Sequence, residues 1–287
     1  MARLKNPNSS SNSDEVTKVV NEIESENVAK LNDEISVAED GFVHDEELLA
    51  GYVDPSTGIR HTTFTYREMN GKDEEAINKA DVRSNGGKLV NVLVERCVTE
   101  IGTLTKKELG TKKWGELIRN MYGGDLDYMA FKIRELSKGK EIEFRHSCPH
   151  CGTKLVTVVN TDELGVMEFQ GLDVIPFTLP RGYKDKAGQI HKEGTLRLMN
   201  GFDREIILPM FKKNRSTATT MLITRLASFN DGAVVTSDMV GNMSLRDREY
   251  LEKLMGDNTF GVDMSVDMTC ESCGADLSDV QSQSNFF

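Results

Sequence analysis

From Val16 to Ile35 the apolar residues Val16, Val19, Val20, Ile23, Val28, Leu31 and Ile35 recur at three- to five-residue steps among acidic neighbours. This spacing predicts one weakly amphipathic helix with a narrow apolar stripe. So narrow a stripe suits a partner better than a core, and a solvated helix or frayed linker is the plain alternative, because isolated helices of this length are marginal in water. A second apolar patch lies between Phe42 and Val53, where Leu48, Leu49 and Tyr52 stand among acids. Ahead of both, the run of Asn and Ser from Asn8 to Ser13 cannot bury apolar area and reads as a mobile tail. Asp54, Pro55, Ser56, Thr57 and Gly58 then spell a turn. Residues 1–58 therefore read as an acidic arm, disordered or ordered by a partner, with Ile23, Leu31, Leu48, Leu49 and Tyr52 as its apolar contacts.

Beyond the turn, His61 to Tyr66 is rich in β-branched and aromatic residues and predicts a strand. A repeat begins inside it. Thr65 to Ile77 reads T-Y-R-E-M-N-G-K-D-E-E-A-I, and Thr195 to Ile207 reads T-L-R-L-M-N-G-F-D-R-E-I-I, with eight of thirteen positions identical at a constant offset of 130. Further on, an offset of 122 aligns Asp125 with Asp247, Tyr128 with Tyr250, Gly139 with Gly261, and Cys148-x-x-Cys151-Gly152 with Cys270-x-x-Cys273-Gly274. Duplication explains such a match better than chance. Each copy predicts a strand, an Asn-Gly turn with Asp73 or Asp203 near a helix start, two or three helices, and a hairpin with C-x-x-C-G at its tip. Val174 to Pro180 predicts an edge strand bracketed by prolines, followed by a hairpin-like loop from Arg181 to Glu193. The expected fold is α+β, with the arm at 1–58, a first repeat at 59–170, a linker strand and loop at 171–194, and a second repeat at 195–287.

Composition narrows the function classes. The mean hydropathy of −0.41 and the lack of a long apolar run predict no membrane span, and the N-terminus offers no apolar stretch to act as a secretory signal. The net charge of −11 disfavours non-specific nucleic-acid binding. That charge is local, for residues 1–50 hold twelve acidic and four basic side chains and leave the remainder nearly balanced.

Four of the five cysteines lie in the two C-x-x-C pairs, in a chain without an export signal, which points to metal or redox chemistry over a disulfide framework. Two intervening residues let both thiolates face one ion, and the following glycine permits the turn that closes the knuckle. One knuckle supplies two ligands where structural zinc takes four. Cys148, Cys151, Cys270 and Cys273 would complete one tetrahedral site if the two repeats met about a pseudo-twofold axis. Three alternatives stay open. C-P-H-C is also the active-site tetrapeptide of a periplasmic thiol oxidant, but there it opens a helix, whereas Lys154 to Val159 continues as strand. His146 or His150 could complete a separate site, although Met268 and Ser272 replace them in the second copy. The thiols could also simply pack without metal. Cys97 reads as a core residue.

Asp73/Glu75 and Asp203/Glu205 are better explained by helix capping than by acid–base catalysis. Lys106, Lys107, Lys112 and Lys113 with Trp114 form a basic and aromatic cluster that could touch nucleic acid, but the second copy lacks it. No phosphate-binding loop, dinucleotide fingerprint or nucleophile elbow occurs in a usable context, and nothing argues for an enzyme or a small-molecule substrate. Phe286 and Phe287, after a polar stretch, would dock on a partner or on the protein's own core.

Taken in order, the R-E-M-N-G-K-D-E-E-A-I strand and turn, the long helical segment, the C-P-H-C-G hairpin, Leu179-Pro180-Arg181-Gly182-Tyr183, Leu245-Arg246-Asp247-Arg248, Gly261-Val262 and the final Phe-Phe resemble the T-even bacteriophage baseplate hub assembly protein family over roughly residues 50 to 287. The resemblance implies a component or assembly factor of the contractile tail's baseplate, partnered by other baseplate or tail proteins. It would be found in the host cytoplasm during assembly and in the virion if retained, and the family carries no catalytic residues to transfer. A chaperone absent from the finished particle is one alternative. A zinc-ribbon adaptor for nucleic acid is another.

Overall fold

The computed structural model describes residues 43–263, 269–277 and 283–284, with the side chains of Phe144, His146, Gln283 and Ser284 outside that set. Its first half opens with strands β1 (Val43–Val53) and β2 (Arg60–Arg67). Helices α1 (Gly71–Ile77), α2 (Ala80–Arg83) and α3 (Gly86–Cys97) follow, then strands β3 (Val98–Ile101) and β4 (Leu104–Thr105). Two longer helices close the half, α4 (Lys106–Asn120), kinked at Gly110, and α5 (Gly123–Lys138). The four strands form one sheet in the order β1-β2-β3-β4. Alternation along β1 buries Leu48, Ala50 and Tyr52, of which Leu48 and Tyr52 join Phe64, Leu93, Trp114, Ile118 and Met129 in the first core.

Strands β5 (Glu141–Ser147) and β6 (Lys154–Asn160) then form a hairpin, followed by the short strand β7 (Val166–Met167). The second half runs β8 (Val174–Lys184), β9 (Ile190–Arg197), α6 (Gly201–Phe211), α7 (Arg215–Leu226), β10 (Ala227–Phe229), α8 (Ser237–Asn242) and α9 (Leu245–Asp257), an order like that of the first half with one helix and one strand fewer. Its sheet runs β10-β9-β8, and its core gathers Phe177, Leu179, Leu196, Ile223, Leu226 and Leu251. Strand β11 (Gly261–Val262) pairs antiparallel with β7, and β12 (Gln283–Ser284) pairs antiparallel with β5.

Two expected boundaries move. Val43–Val53 belongs to the first sheet, so the acidic arm cannot extend to residue 58; its apolar patch is a strand whose alternate residues the protein buries in itself. Likewise Val174–Lys184 and Ile190–Arg197 are the opening hairpin of the second half and not a linker. The edge position expected of Val174–Pro180 is correct, with Pro176 and Pro180 on the outer strand of its sheet.

One buried carboxylate organises each half. Asn70 caps α1 by accepting from the Asp73 amide at 3.1 Å, while Asp73 accepts from the Asn70 amide at 3.0 Å, and Asn200 and Asp203 do the same at α6. Arg67 on β2 and Arg96 in the last turn of α3 both hold Asp73 at 2.7 Å. Arg197 on β9 and Arg225 in the last turn of α7 hold Asp203 at 2.5 and 2.7 Å. Burial opposes the charge on both acids, yet the paired guanidinium groups and cap amides outweigh it and keep both below the usual carboxylate range. The second acid of the repeat tethers strand to helix: Asp125 on α5 accepts from the amides of Leu49, Ala50 and Gly51, and Asp247 on α9 accepts from that of Arg181.

The halves meet through backbone as well as side chains. Gly123 N–H donates to Met199 C=O at 2.8 Å and Gly201 N–H donates to Met121 C=O at 3.1 Å, around the antiparallel bridge Tyr122↔Asn200. Beside it, Arg119 and Asn91 converge on Glu205 at 3.0 and 2.7 Å. A Cβ on Gly87 would lie 2.5 Å from the Arg204 backbone, so only glycine lets α3 approach α6 this closely.

Candidate metal centre

The β5/β6 hairpin is rooted at the C-terminal end of α5. Buried Arg134 donates to the carbonyls of Gly139 and Glu141, and Thr161 N–H donates to Lys140 C=O at 2.8 Å. Ile142 and Val159 are buried together beneath it. The hairpin tip is the first knuckle, where Gly152, at φ 74°, donates back to Cys148 C=O at 2.8 Å. The second knuckle copies this geometry, with Gly274 at φ 71° donating to Cys270 C=O at 2.7 Å. Positive φ is the conformation that favours glycine, which gives both C-x-x-C-G motifs their fifth residue.

All four sulfurs lie within 4.8 Å of one another. Cys148 Sγ is 3.7 Å from Cys273 Sγ, and Cys151 Sγ is 3.7 Å from Cys270 Sγ. Each of these pairs joins a buried cysteine of one knuckle to an exposed cysteine of the other, the exchange expected of a local twofold axis. A tetrahedral ion with metal–sulfur bonds of about 2.3 Å requires sulfur–sulfur edges of about 3.8 Å, so the arrangement is compatible with zinc. Leu277, Leu155 and Ala275 pack against Cys148 and Cys270 on the inner side.

The thiols differ in acidity. The Thr153 hydroxyl and backbone hold Cys151 down to about 6. Cys273 is pushed up to about 12 by its thiol neighbours, Cys151 first, although the Ala275 amide favours its thiolate. A divalent cation held here would bind all four as thiolates and release their protons, so its affinity would rise with pH. His150 is exposed and outside the converging group, and the side chain of His146 lies outside the described residues. Cys97 is buried near Asp73, and burial first, then that carboxylate, pushes its thiol up to about 12.

The other candidate residues fare differently. Leu48 and Tyr52, expected to meet a partner, are buried in the first core, and Leu49 is half-buried with its amide on Asp125. The alternation of β1 turns Leu48 and Tyr52 inward, which corrects that expectation. Ile23, Leu31, Phe286 and Phe287 lie outside the described residues. In the basic cluster, Trp114 is fully buried with its indole N–H on Glu95 C=O, and Lys106 donates to the same carbonyl, so neither is displayed to nucleic acid.

A separate cleft of about 470 Å³ lies among α6, α7 and α9, lined by Leu208, Arg215, Leu222 and Met255. Two of its cations are already engaged, Arg197 with Asp203 and Arg204 with Asp127. Arg96 and Arg225, central to the buried clamps, escaped the repeat alignment because they are 129 residues apart, one fewer than the acids they hold. Asn85 and Asn214, which cap α3 and α7, share that spacing and could have revealed it.

A sequence profile described as T4 bacteriophage base plate protein matches residues 54–287. The chain belongs to this family. The match spans both knuckles and every strand from β2 onward in the baseplate protein. No curated protein and no solved structure matches the chain significantly. Among the described residues no helix is long and apolar enough to cross a membrane.

Proposed function

We propose that this chain is a non-catalytic structural or assembly protein of a contractile-tailed phage baseplate, at its hub, and that one zinc ion staples its two knuckles together. The family match over residues 54–287 carries the baseplate reading. Convergence of Cys148, Cys151, Cys270 and Cys273 supports the zinc reading, since four thiolates at tetrahedral spacing bind zinc strongly and offer no open coordination position for catalysis. The similar element order and the paired Asp–Arg clamps support an origin by duplication. In this reading the halves form one rigid platform. The acidic segment carrying Ile23 and Leu31, and the terminal Phe286 and Phe287, engage neighbouring baseplate or tail proteins, first in the host cytoplasm and then in the particle.

Quantitative mass spectrometry of purified tailed particles beside the infected-cell lysate tests the placement. A fixed ratio of this chain to the tail-sheath protein in particles is expected. Presence in lysate with absence from particles replaces the structural reading with that of an assembly chaperone, and absence from both overturns the proposed role in building the tail. Metal analysis of the purified protein tests the zinc separately.

A further inference from the structure

The hairpin β5/β6 leaves one long edge open. In the order β12-β5-β6 the central strand is β5, and among the described residues no strand pairs with the far side of β6. The two ends of the hairpin fix which backbone groups point there. Cys148 N–H donates to Thr153 C=O and Thr161 N–H donates to Lys140 C=O, and the register between them is unbroken from Glu141↔Asn160 to Ser147↔Lys154. Hydrogen-bonded and non-hydrogen-bonded pairs alternate along an antiparallel ladder. Leu155, Thr157 and Val159 therefore bond inward to β5, while Lys154, Val156, Val158 and Asn160 direct their N–H and C=O groups outward. The outward residues also carry the exposed side chains, with Val156 62% and Val158 54% accessible.

Proteins ordinarily blunt such an edge with proline, charge or a bulge. The edge strand β8 does so, with Pro176, Pro180 and a register shift between Thr178 and Tyr183. Strand β6 has neither proline nor bulge, its one charge, Lys154, stands at its first position, and between Lys154 and Asn160 it reads Leu-Val-Thr-Val-Val.

We propose that β6 seats a second copy of this chain, whose own β6 adds antiparallel about a twofold axis through Thr157. The strand is self-complementary in that register. Val156 faces the partner's Val158, Lys154 faces the partner's Asn160, and these outward-pointing residues are the ones able to exchange backbone hydrogen bonds. Moving the axis to Val156 leaves Asn160 unpaired, and moving it to Val158 sets Val156 against asparagine and carries Lys154 past the end of the strand. Charge selects the same orientation. Lys154 has no ion-pair partner among the described residues, and antiparallel pairing brings it beside the far end of the other strand, where Glu141 neighbours Asn160 and Glu163 follows, Asp162 there being held by Lys140. Parallel pairing would oppose lysine to lysine. The valines of both copies form an apolar strip whose outer neighbours are the Glu143–Arg145 ion pairs, 3.0 Å each, lying across from Val158 and Val156 on β5. This contact needs only the hairpin and does not depend on the hub placement.

Sedimentation velocity on the full chain across the micromolar range, paired with residue-resolved amide exchange, tests it. The expected result is a monomer–dimer equilibrium that the double variant Val156→Lys/Val158→Lys abolishes while retaining native circular dichroism and metal content. With rising concentration, exchange at the Val156 and Val158 amides should slow by about tenfold or more, while Leu155 and Thr157 stay protected throughout. A chain that is monomeric at every concentration overturns the proposal, as does a dimer that survives the double variant. Protection of Val156 and Val158 in the dilute monomer also overturns it, because a segment of the same chain then covers the edge. Protection that appears only with a purified baseplate neighbour, this chain itself remaining monomeric, assigns the edge to that neighbour instead.

Discussion

Cys148 and Cys273 bring their sulfurs to 3.7 Å across 125 residues of sequence. Neither knuckle can close a four-thiolate site alone, so the contact ties the hairpin that follows the first half to the segment that follows the second. Purified protein should carry one zinc per chain, and Cys270→Ser should lower that to about zero, because three thiolates hold a structural ion far less well. Chelation should expose the knuckles to proteolysis while the helical cores persist. Full metal occupancy in Cys270→Ser would exclude the shared site.

The buried clamps set a stability prediction. Removing the Asp203 carboxylate leaves Arg197 and Arg225, both partly exposed, without their shared acid and takes away the bond that Asp203 accepts from the Asn200 amide, while Asn200 still caps α6, so Asp203→Ala should cost about 1–3 kcal/mol in urea unfolding. Asp73→Ala should cost a similar amount in the first half. Both carboxyls are held below their ordinary value in the folded chain, so their contribution is present above about pH 4 and is lost as pH falls through the lowered folded values. A loss under about 1 kcal/mol for either variant would show that the clamp is marginal.

His191 predicts the opposite slope. Its Nδ1 lies 2.6 Å from Asp231 and its Nε2 3.4 Å from Asp185, with the rings of Tyr183 and Phe229 against it. Asp231 first, then Asp185, raise its proton affinity against the opposing effect of burial. The stabilisation is therefore complete below about pH 6.5 and is lost as pH rises through the raised folded value. Melting temperature should fall across that window, and His191→Gln should flatten the fall. An unchanged slope in the variant would move the titration elsewhere.

Adjacent glycines provide a packing test. Gly87→Ala places a methyl group against the Arg204 backbone and should cost about 1–3 kcal/mol, because neither helix backbone can yield locally. Gly86→Ala meets nothing within 4 Å and should be neutral or stabilising by up to about 1 kcal/mol. Equal effects from the two, measured by denaturant unfolding, would contradict the close helix approach.

The four-cysteine cluster was legible because thiol spacing and the following glycine are local requirements, and the shared offset of 122 linked the two knuckles. The capped helices were legible for the same reason, although the cap itself is Asn70 or Asn200 and the acid sits three residues on. Strand β1 was not. Its acidic residues Asp45, Glu46 and Glu47 resemble those of the preceding arm, and its hydrophobic alternation shows only from Leu48 onward. The opening hairpin of the second half was hidden because the matches between β1 and β8 are few and sit at a shifted offset. Gly51-Tyr52 and Gly182-Tyr183, 131 residues apart and with the glycines at φ 85° and 83°, mark the equivalent bend, and each tyrosine stacks on the matching histidine, His61 or His191. Of the clamp arginines, Arg67 and Arg197 stood inside the matched segment, while Arg96 and Arg225 were hidden by a shift of one residue in spacing, which a fixed-offset comparison cannot follow.

The reciprocal bonds between Gly123 and Met199 and between Gly201 and Met121 have a mechanical consequence. They run in opposite senses across a single antiparallel bridge, so twisting one half against the other strains both at once. Torque then passes through peptide groups, which are stiff, and less through side chains, which can swing. A neighbour that grips the first half thus steers the second. The pair acts as one lever, and the helix that begins at Gly123 carries the cysteine-tipped hairpin at its other end.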